Sequence, residues 1–300
     1  MKEGINMQID KIIIAVLALI AILAMLLVGA GICGLCMFAN NIQTGGYMSP
    51  VEHREDKTTH DGAAKVSIEA DTFGGNVEIS ESTTDKIEVI YDAYASAGHL
   101  NDIVTGTNYS MEGDTLKITA ITKIRENANM VTGRLGAHIN IKVPKNASYS
   151  FNLNTAGGNI IVTELNGSRL KAATAGGNID FSGGKYDTII VNTAGGNVHA
   201  TYDANTATFQ TLGGNIYITS KQTAGTLNLN TAGGNVAVRL PQGTQFTVDA
   251  TTMGGKVTHG SIPLVTTDES RSKLTGHTEG GAGALSIDLR SMGGNIEISY

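Results

Sequence analysis

The sequence predicts an all-β protein, a single-chain parallel β-solenoid of about 20 residues per coil, preceded by one transmembrane α-helix. Three observations predict this fold class. A Thr-x-Gly-Gly-Asn motif recurs along the chain, short strands of alternating apolar residues flank it, and the long apolar runs are confined to residues 12–39. Glycine accounts for 38 of 300 residues but proline for only 4, and the glycines lack the three-residue period that collagen requires.

The N-terminal region has the pattern of a membrane anchor. We expect residues 1–11 to be a short cytoplasmic segment and residues 12–39 to be a signal anchor that spans the membrane once. The run carries no charge, and as a helix it would exceed the roughly 30 Å of a hydrocarbon core. Lys2 and Lys11 precede it, and the next basic residue is Arg54. Because positive residues stay inside, this charge distribution predicts an extracytoplasmic C-terminal domain at the cell membrane.

The remainder of the chain divides into a linker and a repeat domain. Residues 40–64 mix charges without apolar periodicity, which predicts a polar linker. Residues 65–300 carry the repeats and are predicted to form the β-solenoid. Within them, the pattern fades over residues 81–138, which we interpret as a cap or an excursion from the coil.

The repeated Gly-Gly-Asn motif is interpreted as the structural corner of each coil. Glycine reaches positive φ without steric cost, and asparagine tolerates the left-handed region and can stack in a ladder along the rod. The residues predicted to form structural corners are Gly157, Gly158, Asn159, Gly176, Gly177, Asn178, Gly195, Gly196, Asn197, Gly213, Gly214, Asn215, Gly233, Gly234 and Asn235. Two distant stretches, residues 67–80 and 286–299, are also similar to each other, which supports one continuous array.

The strand before each corner predicts a candidate binding face. Strand side chains alternate between two sides, so Leu227 and Leu229 should face inward while Asn228 and Asn230 face outward. Stacking of successive coils would then align one polar residue per coil along the rod. The candidate binding face consists of Asn154, Asn192, Gln210, Asn230 and Thr251.

No motif indicates catalysis, a cofactor or a metal site. The Gly-Gly corners are not followed by a helix, as a phosphate-binding loop requires. The calcium-binding nonapeptide repeat needs an Asp series, whereas Asn or Lys256 follows Gly-Gly here. The histidines are scattered and no local cluster of Asp or Glu stands out. A net charge of −6 gives no reason to expect a nucleic acid partner.

These features together resemble a known family. The Gly-Gly-Asn repeat, the strand end at Val143-Pro144 and the N-terminal apolar segment resemble the bacterial and archaeal β-strand-repeat proteins called putative adhesins. The resemblance covers roughly residues 65–300. It implies a β-solenoid at the cell surface and brings no catalytic residues with it.

The expected function is therefore binding. We expect a non-catalytic, membrane-anchored cell-surface protein whose extended face adheres to a surface polysaccharide or an envelope protein. The alternative is a structural spacer or a sensor component of an envelope-stress system. A third hypothesis is a polysaccharide-active enzyme, because a solenoid brings residues one coil apart into register.

Overall fold

A computed structural model describes residues 51–125, 134–280 and 283–300. These ranges contain 21 strands and one turn of 3-10 helix at Leu100–Asp102. The strands are β1 (Val51–Asp61), β2 (Lys65–Thr72), β3 (Val77–Glu81), β4 (Lys86–Ser96), β5 (Ile103–Glu112), β6 (Thr115–Ile124), β7 (Leu135–Val143), β8 (Ser148–Thr155), β9 (Ile160–Thr163), β10 (Gly167–Thr174), β11 (Ile179–Thr193), β12 (Val198–Thr211), β13 (Ile216–Ser220), β14 (Gly225–Thr231), β15 (Val236–Arg239), β16 (Phe246–Thr252), β17 (Val257–Thr258), β18 (Leu264–Ser270), β19 (Lys273–Thr278), β20 (Leu285–Ser291) and β21 (Ile296–Ser299).

The strands form two stacks that meet at the Thr-x-Gly-Gly-Asn corners. The first stack has the order β5-β6-β2-β8-β10-β11-β12-β14-β20-β16-β19-β18. The second has the order β1-β4-β7-β3-β9-β11-β12-β13-β15-β21-β17. A coil consists of one strand from each stack. The long strands β11 and β12 contribute to both stacks, so each of them belongs to two consecutive coils.

The core lies between the two stacks because the strands alternate in hydrophobicity. In β8, Tyr149, Phe151 and Leu153 are buried while the residues between them are partly exposed. Most inward side chains of both stacks join in one hydrophobic cluster, and Ala93, Ala95, Ile103 and Ala137 form a second, smaller one. Each coil therefore has one apolar inner side, and two outer faces remain available to solvent.

The order of coils along the stacks differs from the order along the chain. The coil of β2 and β3 lies between that of β6 and β7 and that of β8 and β9. The coil of β20 and β21 lies between that of β14 and β15 and that of β16 and β17. Near each end of the stacks, one coil is therefore inserted between two coils that follow each other in the sequence.

The prediction of a parallel β-solenoid preceded by one transmembrane helix is wrong. Five strand pairings are antiparallel, and they lie at the ends of the stacks; two of them, β5–β6 and β18–β19, are hairpins. In residues 51–125, 134–280 and 283–300, no helix is long and apolar enough to cross a bilayer. The predicted anchor at residues 12–39 lies outside those ranges.

Part of the predicted linker is a strand. Val51–Asp61 forms β1, which pairs with β4 along its whole length. Its charged and polar side chains reach the neighbouring edge strand β5: Arg54 Nη2 donates to the Ile103 carbonyl oxygen at 3.1 Å, and the hydroxyls of Thr58 and Tyr109 lie 2.9 Å apart. The charged and polar side chains of this segment therefore close one end of the core.

Candidate functional site

The corner glycines lie at the bends between strands, but the reason for them differs from the predicted positive φ. All of them lie in the described ranges and none has a positive φ. The second glycine of each pair is required by close stacking: a Cβ on Gly177 would collide with the carbonyl oxygen of Gly158 in the adjacent coil. A Cβ on the first glycine, Gly176, would meet no atom closer than 3.8 Å. Close backbone approach, rather than a left-handed conformation, therefore explains the second glycine.

A threonine hydroxyl links each corner to its neighbour. Thr193 Oγ1 donates to the Gly177 carbonyl oxygen at 3.0 Å and accepts the Gly196 N–H at 3.1 Å. The same pair of bonds is made by Thr155, Thr174, Thr211, Thr231, Thr252 and Ser291. These hydroxyls are buried, so each one satisfies a backbone donor and a backbone acceptor that water cannot reach.

The corner asparagines form a continuous ladder. Asn178 Oδ1 accepts the backbone N–H of Asn197 at 2.8 Å, and each rung repeats this bond. In spatial order the members are His138, Asn76, Asn159, Asn178, Asn197, Asn215, Asn235, Asn295 and Lys256. At the first end His138 Nδ1 takes the acceptor role. At the other end Lys256 contributes only its backbone N–H, so this position does not need an asparagine side chain.

The predicted polar residues lie in one column of the first stack. Asn192, Gln210 and Asn230 are in register on β11, β12 and β14. Asn154 belongs to the same column but is separated from Asn192 by Ala173. Asn192 is only 4% exposed, so it offers a partner much less surface than its two neighbours.

Two members of the column were missed because the coils are not stacked in chain order. Arg290 of the inserted strand β20 lies between Asn230 and Thr251. Asp71 of β2 lies beside Asn154. The similarity between residues 67–80 and 286–299 marks both inserted coils as equivalent, but it does not show where they insert.

The middle of this face carries no charge. We define the uncharged patch as the outward residues of β11, β12 and β14, which are Thr188, Ile190, Asn192, Thr206, Thr208, Gln210, Thr226, Asn228 and Asn230. Within the described ranges, their side chains make no hydrogen bond to the protein, although most are polar. Arg169 and Lys171 border the patch on β10, and Asp288 and Arg290 border it on β20.

The family follows from a match over most of the chain. The model of the family described as Toastrack DUF4097 matches residues 64–204 and again residues 140–299. The chain belongs to this family. The two overlapping matches together span the whole two-stack unit from β2 to β21, so the Toastrack unit and the repeat domain are the same part of the chain.

Several solved structures match this Toastrack chain at low sequence identity. A putative cell adhesion protein from Clostridium sporogenes is 12% identical, with 83% of this chain and 99% of that chain covered and a TM-score of 0.38. A putative adhesin from Bacteroides fragilis is 14% identical, with 85% and 99% covered and a TM-score of 0.34. A putative lipid binding protein from Parabacteroides distasonis is 14% identical, with 82% and 96% covered and a TM-score of 0.29. Similarity at this level does not establish a shared function. No curated protein is a significant match.

On both sides of the uncharged patch, polar side chains of the same column are already paired within the Toastrack domain. Asn154 Nδ2 donates to Asp71 Oδ1 at 2.7 Å, and burial raises the pKa of the Asp71 carboxyl, an effect that this hydrogen bond partly offsets. At the other border, Arg290 donates to Asp249 at 3.0 Å and to Thr251 Oγ1 at 2.9 Å. Along this column, the free hydrogen-bonding groups therefore lie between Asn154 and Arg290.

The described part of the domain offers no evident metal centre. Within these ranges, no group of three or more His, Cys, Asp or Glu side chains is placed to hold a metal ion. The arrangement of the uncharged patch suits non-covalent contact with a partner, because its side chains are amides, hydroxyls and one aliphatic group.

Proposed function

We propose that this Toastrack protein is a non-catalytic cell-surface protein whose uncharged patch binds an extended polymer or an envelope protein. The observation that carries the proposal is the contrast along one face: polar side chains on both sides of the patch, at Asn154 and at Arg290, are paired within the protein, whereas the hydrogen-bonding groups of Gln210, Asn228 and Asn230 are free. A partner can satisfy these groups without displacing any contact of the fold.

The rigidity of the stack supports this function. The three strands of the patch are held about 4.8 Å apart by the sheet, and the threonine and asparagine bonds fix their register at the adjacent corner. A preorganised surface loses little conformational entropy on binding. Several weak contacts on such a surface can therefore add up without a deep pocket.

The electrostatics favour an uncharged partner. The patch has no basic side chain with which to neutralise phosphates, as nucleic acid binding requires. The proposal accordingly names a neutral surface polysaccharide or the polar surface of an envelope protein, and it places the domain outside the cytoplasm, where both are found.

The test compares two triple alanine variants of the full chain for binding to an isolated cell-envelope fraction. The patch variant combines Thr208→Ala, Gln210→Ala and Asn230→Ala. The control variant combines Thr163→Ala, Ser182→Ala and Thr201→Ala, which lie on the outer face of the second stack.

We expect the patch variant to bind the envelope fraction at least about 10-fold more weakly, a change of about 1.4 kcal/mol, while the control variant binds as the parent does. Both variants should melt like the parent, since the altered side chains are outside the core. Equal binding by all three proteins would contradict the proposal and would favour the spacer role.

A further inference from the structure

A row of three residues on the outer face of the second stack forms a braced aromatic platform. Asp180, His199 and Tyr217 are in register on β11, β12 and β13. His199 Nδ1 lies 3.1 Å from Asp180 Oδ1. The rings of His199 and Tyr217 are stacked, with centroids 5.1 Å apart and planes 11° from parallel. Asp180 thus orients the His199 ring, and His199 supports one face of Tyr217.

The opposite face of Tyr217 borders an open slot. The next residue in the row is Ala237 on β15, and the one after it is Glu297 on β21. Tyr217 is 40% exposed. Because neighbouring strands are about 4.8 Å apart, the small Ala237 side chain leaves a slot roughly 10 Å wide between the Tyr217 ring and the Glu297 carboxylate.

Two charged groups beside the slot are free. Arg239 lies two residues beyond Ala237 on the same side of β15, and its side chain is exposed. Neither Arg239 nor Glu297 has an ion pair or a side-chain hydrogen bond to any residue in the ranges that the structure describes. The slot therefore combines an aromatic surface, a guanidinium donor and a carboxylate acceptor within about two strand spacings of each other.

We propose that this slot, formed by Tyr217, Ala237, Arg239 and Glu297, binds one hexopyranose unit of a neutral glycan. The apolar C–H face of the sugar would lie against the Tyr217 ring. Its hydroxyls would donate to Glu297 and accept from Arg239 in charge-assisted hydrogen bonds. A cationic ligand is disfavoured by Arg239 and an anionic sugar by Glu297. This site is on the opposite outer face from the uncharged patch, so it goes beyond the proposed function and does not require it.

The test measures saturation-transfer NMR and binding isotherms of the full chain with methyl glycosides of glucose, galactose, mannose and N-acetylglucosamine. Ala237→Leu fills the slot while retaining every recognising group, and Tyr217→Ala removes the platform. Tyr217→Phe retains the ring and is the conservative control. The triple alanine variant of the uncharged patch controls for binding elsewhere.

We expect at least one glycoside to bind with transfer to its ring C–H protons. Ala237→Leu and Tyr217→Ala should each weaken this binding at least 10-fold, whereas Tyr217→Phe and the patch variant should stay within about 3-fold of the parent. The proposal is overturned if none of the four glycosides binds, if Ala237→Leu binds as the parent does, or if tetramethylammonium competes for the slot. Loss of glycoside binding in the patch variant alone would also overturn it and would assign the sugar to the other face.

Discussion

At the level of single residues, the corner depends on the second glycine and on the threonine before it. The second glycine lets the backbones of adjacent coils approach closely, and the threonine hydroxyl bridges them. At Gly157 and Gly176 the first glycine is required neither by φ nor by a neighbouring atom, and nothing in the structure explains it there.

The two glycines of one corner should therefore respond oppositely to the same substitution. We expect Gly177→Ala to lower the free energy of unfolding by about 1–3 kcal/mol, because the methyl group would push against the Gly158 carbonyl. Gly176→Ala should be neutral or stabilising by about 0.4–1 kcal/mol, because it restricts the unfolded chain. Urea denaturation of both variants measures the difference. A larger loss for Gly176→Ala would refute the stacking explanation.

The bridging hydroxyl can be removed without changing shape. Thr193→Val leaves the Gly196 N–H and the Gly177 carbonyl without this buried partner, so we expect a loss of about 1–3 kcal/mol. The matched control is Thr208→Val on the uncharged patch, where no bond is lost and the effect should stay within about 0.5 kcal/mol. Equal melting temperatures for the two variants would show that the bridge does not contribute.

The raised pKa of Asp71 gives a pH-dependent prediction. Since burial raises the pKa of the Asp71 carboxyl in the folded state above its ordinary value, the folded chain binds this proton more readily than the unfolded chain, and stability falls as the pH rises from the ordinary pKa through the raised one. Asp71→Asn should therefore be more stable than the parent at pH 7, and its advantage should shrink as the pH falls. Asp114, whose pKa is lowered by its hydrogen bond to Lys65, is the control of opposite sign. A destabilised Asp71→Asn at neutral pH would contradict the burial effect.

At the level of strands, local patterns predicted more than long-range order. Alternation over Leu227–Asn230 correctly separates core from surface, because side-chain direction in a strand depends only on neighbouring residues. The position of β20 depends instead on pairing with β14 and β16, which are far apart in sequence, and no local pattern specifies that register. The sequence therefore predicted the column of Asn192, Gln210 and Asn230 but missed Arg290.

The corners show the same limit of local sequence patterns. Their recurrence identified the Gly-Gly-Asn motif, but the reason for the second glycine is a carbonyl group in the adjacent coil, which the sequence does not display. The strand β1 was missed because its charged residues suit a linker equally well. Its contacts with β5 depend on the order of the strands, which places β1 and β5 at the same end of the two stacks, and no local pattern specifies that order.

The inserted strand β20 is held partly by Arg290. Asp249 and Asp288 are directly opposite each other on β16 and β20, and Arg290 lies between their carboxylates. We expect Arg290→Ala to lower stability by about 1 kcal/mol, and more at low salt, because two like charges would then face each other. Adding Asp249→Asn should restore part of the loss.

The control for Arg290 is an exposed ion pair elsewhere. Lys185 lies 3.6 Å from Asp203, and its side chain is 74% exposed. Lys185→Ala should change stability little, as is usual for surface pairs. If Arg290→Ala were also neutral in chemical denaturation at low salt, repulsion between Asp249 and Asp288 would not affect stability, and the prediction would be contradicted.

At the level of the whole molecule, one set of corners supports two outer faces of different chemistry. The first stack offers an uncharged patch of free amides and hydroxyls, and the second offers an aromatic slot between free charges. Both faces follow from the same stacking, because each coil adds one row of side chains to each face. A rigid rod of this kind can contact partners along its length, and the two faces can be altered independently.

The central claim, that the uncharged patch contacts the partner, is tested most directly by site-specific photo-crosslinking in living cells. The photo-reactive residue p-benzoylphenylalanine replaces Gln210 in the patch or, as a control, Met111 on the capping hairpin, which is 61% exposed. We predict that Gln210→p-benzoylphenylalanine forms a discrete crosslinked product and that the Met111 replacement does not. Crosslinking from Met111 but not from Gln210, with both proteins folded and present at equal levels, would contradict the claim.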